Sequence, residues 1–317
     1  MTTDLEFGER LWRQCWPQRQ LFDLWVVRRC FQDQYNHEPY FLYARQANSI
    51  RGMLALSWIE DKQYFGHFPG ELWQGRTWLE QNRLIASNPD IALDLMDAIP
   101  AAEDIRYLDA TGLPANDPWI MADDTGYLFH PPQYDYSFDT YFHYFSGKRR
   151  KALRQELDHL ASPGVEYRYN CLSDLDKMFR LNLEYYGEWS YFRDNRFLRA
   201  FENLAAWLSA QNLLRVTTVI IGGRIAAVDM GAVWNSTYTL LAGGTDPTFP
   251  GVAKLINFHH MAWACNQKLA EIDFLCGDFN WKKRFHLFPR PLFVIRNRHQ
   301  DIGRIDLVEN QRAACAV

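Results

Sequence analysis

Residues 213–275 leave a chain little freedom in how it folds. Three runs, 213–221, 225–234 and 237–243, are rich in Val, Ile, Thr and Tyr, and their joints are Gly222-Gly223 and Asn235-Ser236. Such dipeptides accept the left-handed backbone that a two-residue hairpin turn requires, so the pattern predicts an antiparallel three-strand meander. Pro250-Gly251 then opens a helix over 252–268, followed by a short apolar strand at 272–275 and a last strand near 292–296. Upstream come a strand at 165–169, a helix from Ser173-x-x-Asp176 to about 186 with a capping-type start, and a second helix over 196–210.

The N-terminal half reads as mixed α/β. Residues 21–34 have helical spacing, and 40–45 and 53–59 form a hairpin about a turn at 46–51. Residues 70–84 are aromatic and irregular. Asn88-Pro89-Asp90 opens a helix to about 99, and 105–109 is a strand. Residues 114–132, rich in Pro, Gly and Asp, read as loops around one or two short strands. The stretch 138–161 is expected to be a single helix, stopped by Ser162-Pro163-Gly164 and joining two domains. A length of 317 residues also favours two domains, placed at 1–137 and 164–317 with 138–163 as linker. No internal sequence repeat is visible.

A hydrophobic content of 48% supports a large core, and a net charge of −4 gives no global basic field to recruit nucleic acid. The six cysteines show no Cys-x-x-Cys pattern and read as reduced thiols. The first residues lack a basic segment followed by an apolar one, and no run approaches the roughly 18 apolar residues of a membrane span, so a cytoplasmic protein is expected. Adjacent His259 and His260 point apart on a helix, and no His-x-x-x-His exists, so no metal is expected.

Chemistry concentrates in Glu271-Ile-Asp-Phe-Leu-Cys-Gly-Asp-Phe-Asn-Trp-Lys-Lys-Arg-Phe-His286, where acid, base and glycine crowd the end of an apolar strand. Asp278 is placed to orient or deprotonate an acceptor, or else to cap the next turn or pair with Lys282. Lys282 polarises a carbonyl, binds phosphate or is simply solvated. Asp229 interrupts the apolar run 225–231, which requires a site, a buried ion pair or a wet face to explain it. The amides around Gly251, Val252, Ala253 and Lys254 at the start of the 252–268 helix suit a pyrophosphate, with a plain Pro-Gly turn as the alternative. The basic run Lys148, Arg149, Arg150, Lys151 and Arg154 reads as a solvated helix face or an anion contact.

Three segments resemble one branch of the GNAT acyltransferase superfamily, the CelD-like enzymes and their FemAB and FemX aminoacyltransferase relatives. These are Phe145-Ser-Gly-Lys-Arg-Arg-Lys-Ala-Leu-Arg154, Gly244-Thr-Asp-Pro-Thr-Phe-Pro-Gly251 with Leu255, and Ile272-Asp-Phe-Leu-Cys-Gly-Asp278 followed by Lys282. The resemblance covers about 140–290, and the first 140 residues only by architecture. It implies an α+β fold of two tandem GNAT-like domains, the N-terminal one degenerate. It also implies transfer of an acyl group from acetyl-CoA or another acyl-CoA to an amine or hydroxyl, on a saccharide or cell-envelope precursor. An aminoacyl-tRNA donor, with tRNA as partner, and a non-catalytic carbohydrate-binding protein are the alternatives. GNAT enzymes place acceptor-binding residues at the end of the domain's first helix, here Glu184-Tyr-Tyr-Gly-Glu-Trp189, where Tyr185 or Tyr186 would protonate the leaving thiolate. The chain departs from the usual GNAT phosphate loop, keeping only Gly251 and Ala253.

Overall fold

Side-chain oxygens start several of the helices. Asp4 accepts from the amides of Glu6 and Phe7 at 2.9 and 3.1 Å, Asn88 from Ile91 at 2.9 Å, and Asp194 from Arg196 at 3.0 Å. The computed structural model describes residues 1–296 except 116, 278 and 279. Its N-terminal part comprises α1 (Leu5–Cys15), α2 (Trp25–Tyr35), β1 (Glu38–Gln46), β2 (Ser49–Ile59), β3 (Tyr64–His67), β4 (Ile85–Ala86), α3 (Pro89–Asp97), β5 (Asp104–Leu108) and β6 (Ile120–Phe129). There follow α4 (Phe138–Phe142), α5 (Gly147–Ala161), β7 (Val165–Tyr169), α6 (Asp174–Tyr186), α7 (Asn195–Ala210), β8 (Leu214–Ile221), β9 (Arg224–Trp234) and β10 (Thr237–Thr245). The chain then runs through α8 (Val252–Asn266), β11 (Glu271–Asp273), α9 (Asn280–Arg284) and β12 (Phe288–Arg296).

A small sheet joins β1, β2 and β3, with β4 also on β2. A large eight-stranded sheet runs β5-β12-β6-β11-β10-β9-β8-β7. The expected meander is there, with Gly222, Gly223, Asn235 and Ser236 all at positive φ. Strands β5 and β6 hydrogen-bond to β12, and β6 also pairs with β11, so strands on either side of residue 137 share one sheet. One face of the β8–β10 region buries Val216, Val228 and Met230 against α2, α6 and α7. The other face packs Val219, Ala227 and Tyr238 beneath α8.

Three expectations need correction. Residues 120–129 form one ten-residue strand rather than one or two short strands among loops: Asp123 is matched by the Arg106 guanidinium and the Tyr107 amide, which removes the cost of an acid in a sheet. The stretch 138–161 is two helices, because Ser146 accepts from Arg149 N and starts a new one. Ser173 makes no capping bond; the neighbouring Asp174 instead ties Arg168 and Thr218. Residues 79–83 are irregular, as expected, and buried.

Candidate functional site

The large sheet splits at its one parallel pair. β10 and β11 are in register only over Thr237↔Glu271, Tyr238↔Ile272 and Thr239↔Asp273. A bulge between Leu240 and Ala242 then turns β10, which continues beside β9 to Thr245. The other arm leaves with β6: Phe274 N donates to Tyr127 O at 2.9 Å and Tyr127 N to Leu275 O at 3.2 Å. The result is a V-shaped cleft open toward the C-terminal ends of the two strands, where ligands of open sheets with parallel pairs collect.

The β11 arm is fixed by side chains. Lys282 is 2% exposed, and its ammonium donates to the carbonyls of Phe274, Leu275 and Cys276 at 3.0, 2.9 and 2.7 Å. Burial lowers its pKa. Lys282 is therefore not a solvated lysine: its ammonium is an internal tie that satisfies the carbonyls of a turn containing Leu275 and Gly277 at positive φ. Cys276 N donates to Glu80 Oε1 at 2.6 Å, and Leu275 N to Asp273 Oδ1 at 2.8 Å. Arg290 links both acids, reaching Asp273 Oδ2 at 2.6 Å and Glu80 Oε2 at 3.4 Å. It passes over Gly126, where a Cβ would stand 2.7 Å from its Nη2. Burial, only partly offset by Arg290, raises the Glu80 carboxyl to about 7, and burial with the Asp273 charge raises Glu271 to about 7.

The β10 arm is built by close approach. Gly243 leaves room for Asp229, whose Oδ1 lies 2.2 Å from where a Cβ would be, and Gly244 lies against the backbone of Met178 in α6. Asn182 Nδ2 donates to Gly243 O at 2.8 Å, and Ser190 Oγ supports Asn182 at 2.7 Å. Asp229 is buried and 2.9 Å from His260 Nε2, so a buried pair accounts for the acid in this strand. Tyr186, 44% exposed, ends α6 within electrostatic reach of Asp229, and its phenol is raised by desolvation, then by the neighbouring Tyr185 and by Asp229. Tyr185 and Trp189 are exposed beside it. Most other rings are internal.

At the start of α8, Gly251 adopts φ 93° with open space around its Cα. Val252 N donates to Phe249 O at 3.1 Å and Lys254 N to Gly251 O at 3.0 Å, while Ala253 N makes no hydrogen bond among the described residues. Val252's side chain is in the core, and Lys254 pairs with Glu156 of α5. Asp278 lies outside the described residues. Among the described residues no three His, Cys, Asp or Glu side chains converge as metal ligands, and His259 stacks on Tyr167 at 3.8 Å. No helix among them is long and apolar enough to cross a membrane.

Sequence reasoning missed Glu80, Asp273 and Arg290. The only local signal was a run of polar residues, 80–83, next to the buried Leu79 and Leu84.

Residues 147–283 match the family model described as an acetyltransferase (GNAT) domain. No curated protein matches the chain in sequence. Among solved structures, FemX superposes with a TM-score of 0.56 at 10% identity, covering 93% of this chain and 96% of FemX. A conserved protein of unknown function from Bacteroides thetaiotaomicron gives 0.57 at 11%, covering 92% and 97%. L-PGS from Bacillus licheniformis gives 0.56 at 9%, covering 95% and 94%. Residues 147–283 thus match a GNAT-type domain, and the chain as a whole is similar in fold to FemX.

Proposed function

We propose that this chain is an acyltransferase that moves an acyl group from a coenzyme A thioester to an amine or hydroxyl acceptor, on a saccharide or cell-envelope precursor. The observation that carries the reading is the split between β10 and β11, which among the described residues leaves one edge of β10 without a strand partner beyond Thr239. A thioester lying in that V would have its carbonyl beside strand amides that no neighbouring strand uses, a setting in which developing negative charge is stabilised. Ala253 N and the backbone at Gly251 would meet the diphosphate. The acceptor would enter past Tyr185, Tyr186 and Trp189, and attack directly, with no acyl-enzyme formed. Asp278 is assigned the orientation or deprotonation of that acceptor, and Asp229 with His260 the support of the β10 wall. Calorimetry with acetyl-CoA and longer acyl-CoAs tests this. Micromolar binding that Gly251→Pro weakens is expected, and no binding of any CoA ester would reject it.

A second reading has its own support. Two of the first-turn amides of α8 are already engaged, and Lys254 is neutralised by Glu156. The neighbouring helix α5 exposes Lys148 and Lys151. An aminoacyl-tRNA donor would use such a face, with affinity falling steeply as salt rises. Binding of aminoacyl-tRNA in the same titration series, with CoA esters inert, would select it.

A further inference from the structure

Tyr107 is the next-to-last residue of β5, where the pairing with β12 shifts register, and its φ is +56°. An aromatic residue there costs roughly 1–2 kcal/mol and persists only where its surroundings impose it. They do: Tyr107 N donates to Asp123 Oδ2 at 3.0 Å, Asn82 N donates to Tyr107 O at 3.0 Å, and the Arg106 guanidinium lies 4.8 Å from the ring centre. Segment 80–82 thus fixes both Tyr107 and, through Glu80, the amide of Cys276 at the tip of the β11 arm.

The phenol is 6% exposed, and its hydroxyl makes no hydrogen bond among the described residues. Other tyrosines vary: the buried Tyr35 donates to Asp194, the buried Tyr141 to Phe285 O and the partly buried Tyr191 to Thr77 O, while the fully buried Tyr238 of β10 also makes no hydrogen bond among the described residues. Burial, then the proximity of Cys276, pushes Tyr107 well above the ordinary tyrosine range, so it remains a neutral donor. Tyr191 and Arg106 complete the surroundings. An O–H without a protein partner among the described residues, on a largely buried ring held by a strained backbone beside the cleft arm, is suited to an oxygen of the substrate.

We infer that Tyr107, supplied by the N-terminal half, donates a hydrogen bond to the acyl oxygen during transfer. The inference rests on the acyl-transfer reading above. The acceptor nitrogen attacks the thioester carbon, and the carbonyl π pair moves onto oxygen, where the Tyr107 O–H meets it. The pair returns as the C–S bond breaks, and the proton released by the amine goes to the departing thiolate, giving an amide and a free thiol. Tyr107 keeps its own proton throughout. The N-terminal half is then part of the catalytic machinery.

The test compares the wild type with Tyr107→Phe in thiol release from acetyl-CoA, with water and a set of primary amines as acceptors. Calorimetric acetyl-CoA affinity and the unfolding midpoint are measured alongside. The expected result is a fall in kcat of about a hundredfold, with donor affinity changed by less than about twofold and the midpoint unmoved. Tyr107→Gly, which relieves the backbone, should lose turnover as well. Wild-type turnover in Tyr107→Phe overturns the inference and leaves the acyl-transfer reading standing. Joint loss of affinity and turnover makes Tyr107 a wall of the cleft and also overturns it. A wild type that neither binds nor cleaves acetyl-CoA removes the donor reading and this inference with it.

Discussion

The two arms of the cleft are stabilised by opposite means. The β11 arm, residues 274–277, is held by charged side chains: Lys282 on three carbonyls, Glu80 on the amide of Cys276, and Arg290 behind both Glu80 and Asp273. The β10 arm is held by steric closeness, with Gly243 beneath Asp229, Gly244 against α6, and a single side-chain bond from Asn182. The first arm resembles a buried ionic core, the second a packed seam. A cleft with one electrostatically pinned wall and one wall of small residues can keep its reacting geometry while admitting acyl chains of different bulk along β10.

The largest expected effect follows from removing the charge behind the pinned arm. Arg290→Met would leave Glu80 and Asp273 buried without their cation, at a cost of about 4–5 kcal/mol by chemical denaturation. Lys282→Met is expected to cost about 3 kcal/mol, since three buried carbonyls lose their donor. A loss below about 1 kcal/mol in either variant would mean that the arm is not pinned in this way and the contrast between the walls fails. On the seam, Gly243→Ala should cost about 2 kcal/mol, because the new Cβ meets Asp229 Oδ1 on a carboxylate whose other oxygen is bound to His260. Thermal denaturation checks it, and a neutral result would show that Asp229 can move aside.

The same contrast explains what the sequence made legible. The seam arm belongs to local structure: Gly222-Gly223 and Asn235-Ser236 demand positive φ, and alternating apolar residues demand a sheet, so the meander could be placed to within a few residues. Helix α3 was equally visible, because Asn88 and Pro89 are chemically suited to its first turn. The pinned arm depends on pairs remote in sequence, such as Glu80 with Cys276 and Gln81 with Asp273, and no local pattern announces them. Strand β6 was misread for a related reason. Asp123, Asp124 and Gly126 are poor strand formers locally, yet Arg106 neutralises the first and Arg290 needs the bare surface of the last. Lys282 reads as polarising a carbonyl, binding phosphate or standing in solvent, because sequence shows a charge but not the carbonyls that receive it. Helix α1 passed unnoticed, although Asp4 caps it, because the N-terminus was read only for targeting signals.

The smallest effect is also the one that separates electrostatics from packing most cleanly. Glu271, at the start of β11, faces Asp273, Arg290 and, at 3.6 Å, His130. Its carboxyl is raised to about 7 in the folded protein, chiefly by burial, from an ordinary value near 4.5. Between those pH values the native state holds a proton that the unfolded chain has released, so unfolding free energy must fall as pH rises through that window. The contribution is therefore complete below about pH 4.5 and gone above about pH 7. Glu271→Gln keeps the shape and abolishes the titration. The variant should match the wild type near pH 4 and exceed it by roughly 1–2 kcal/mol at pH 8, allowing for partial solvent access. Parallel denaturation curves at both pH values would show that the pinned arm tolerates ionised Glu271 at no cost. In that case Arg290 would be balancing three acids rather than two, and the expected loss for Arg290→Met would have to be revised upward.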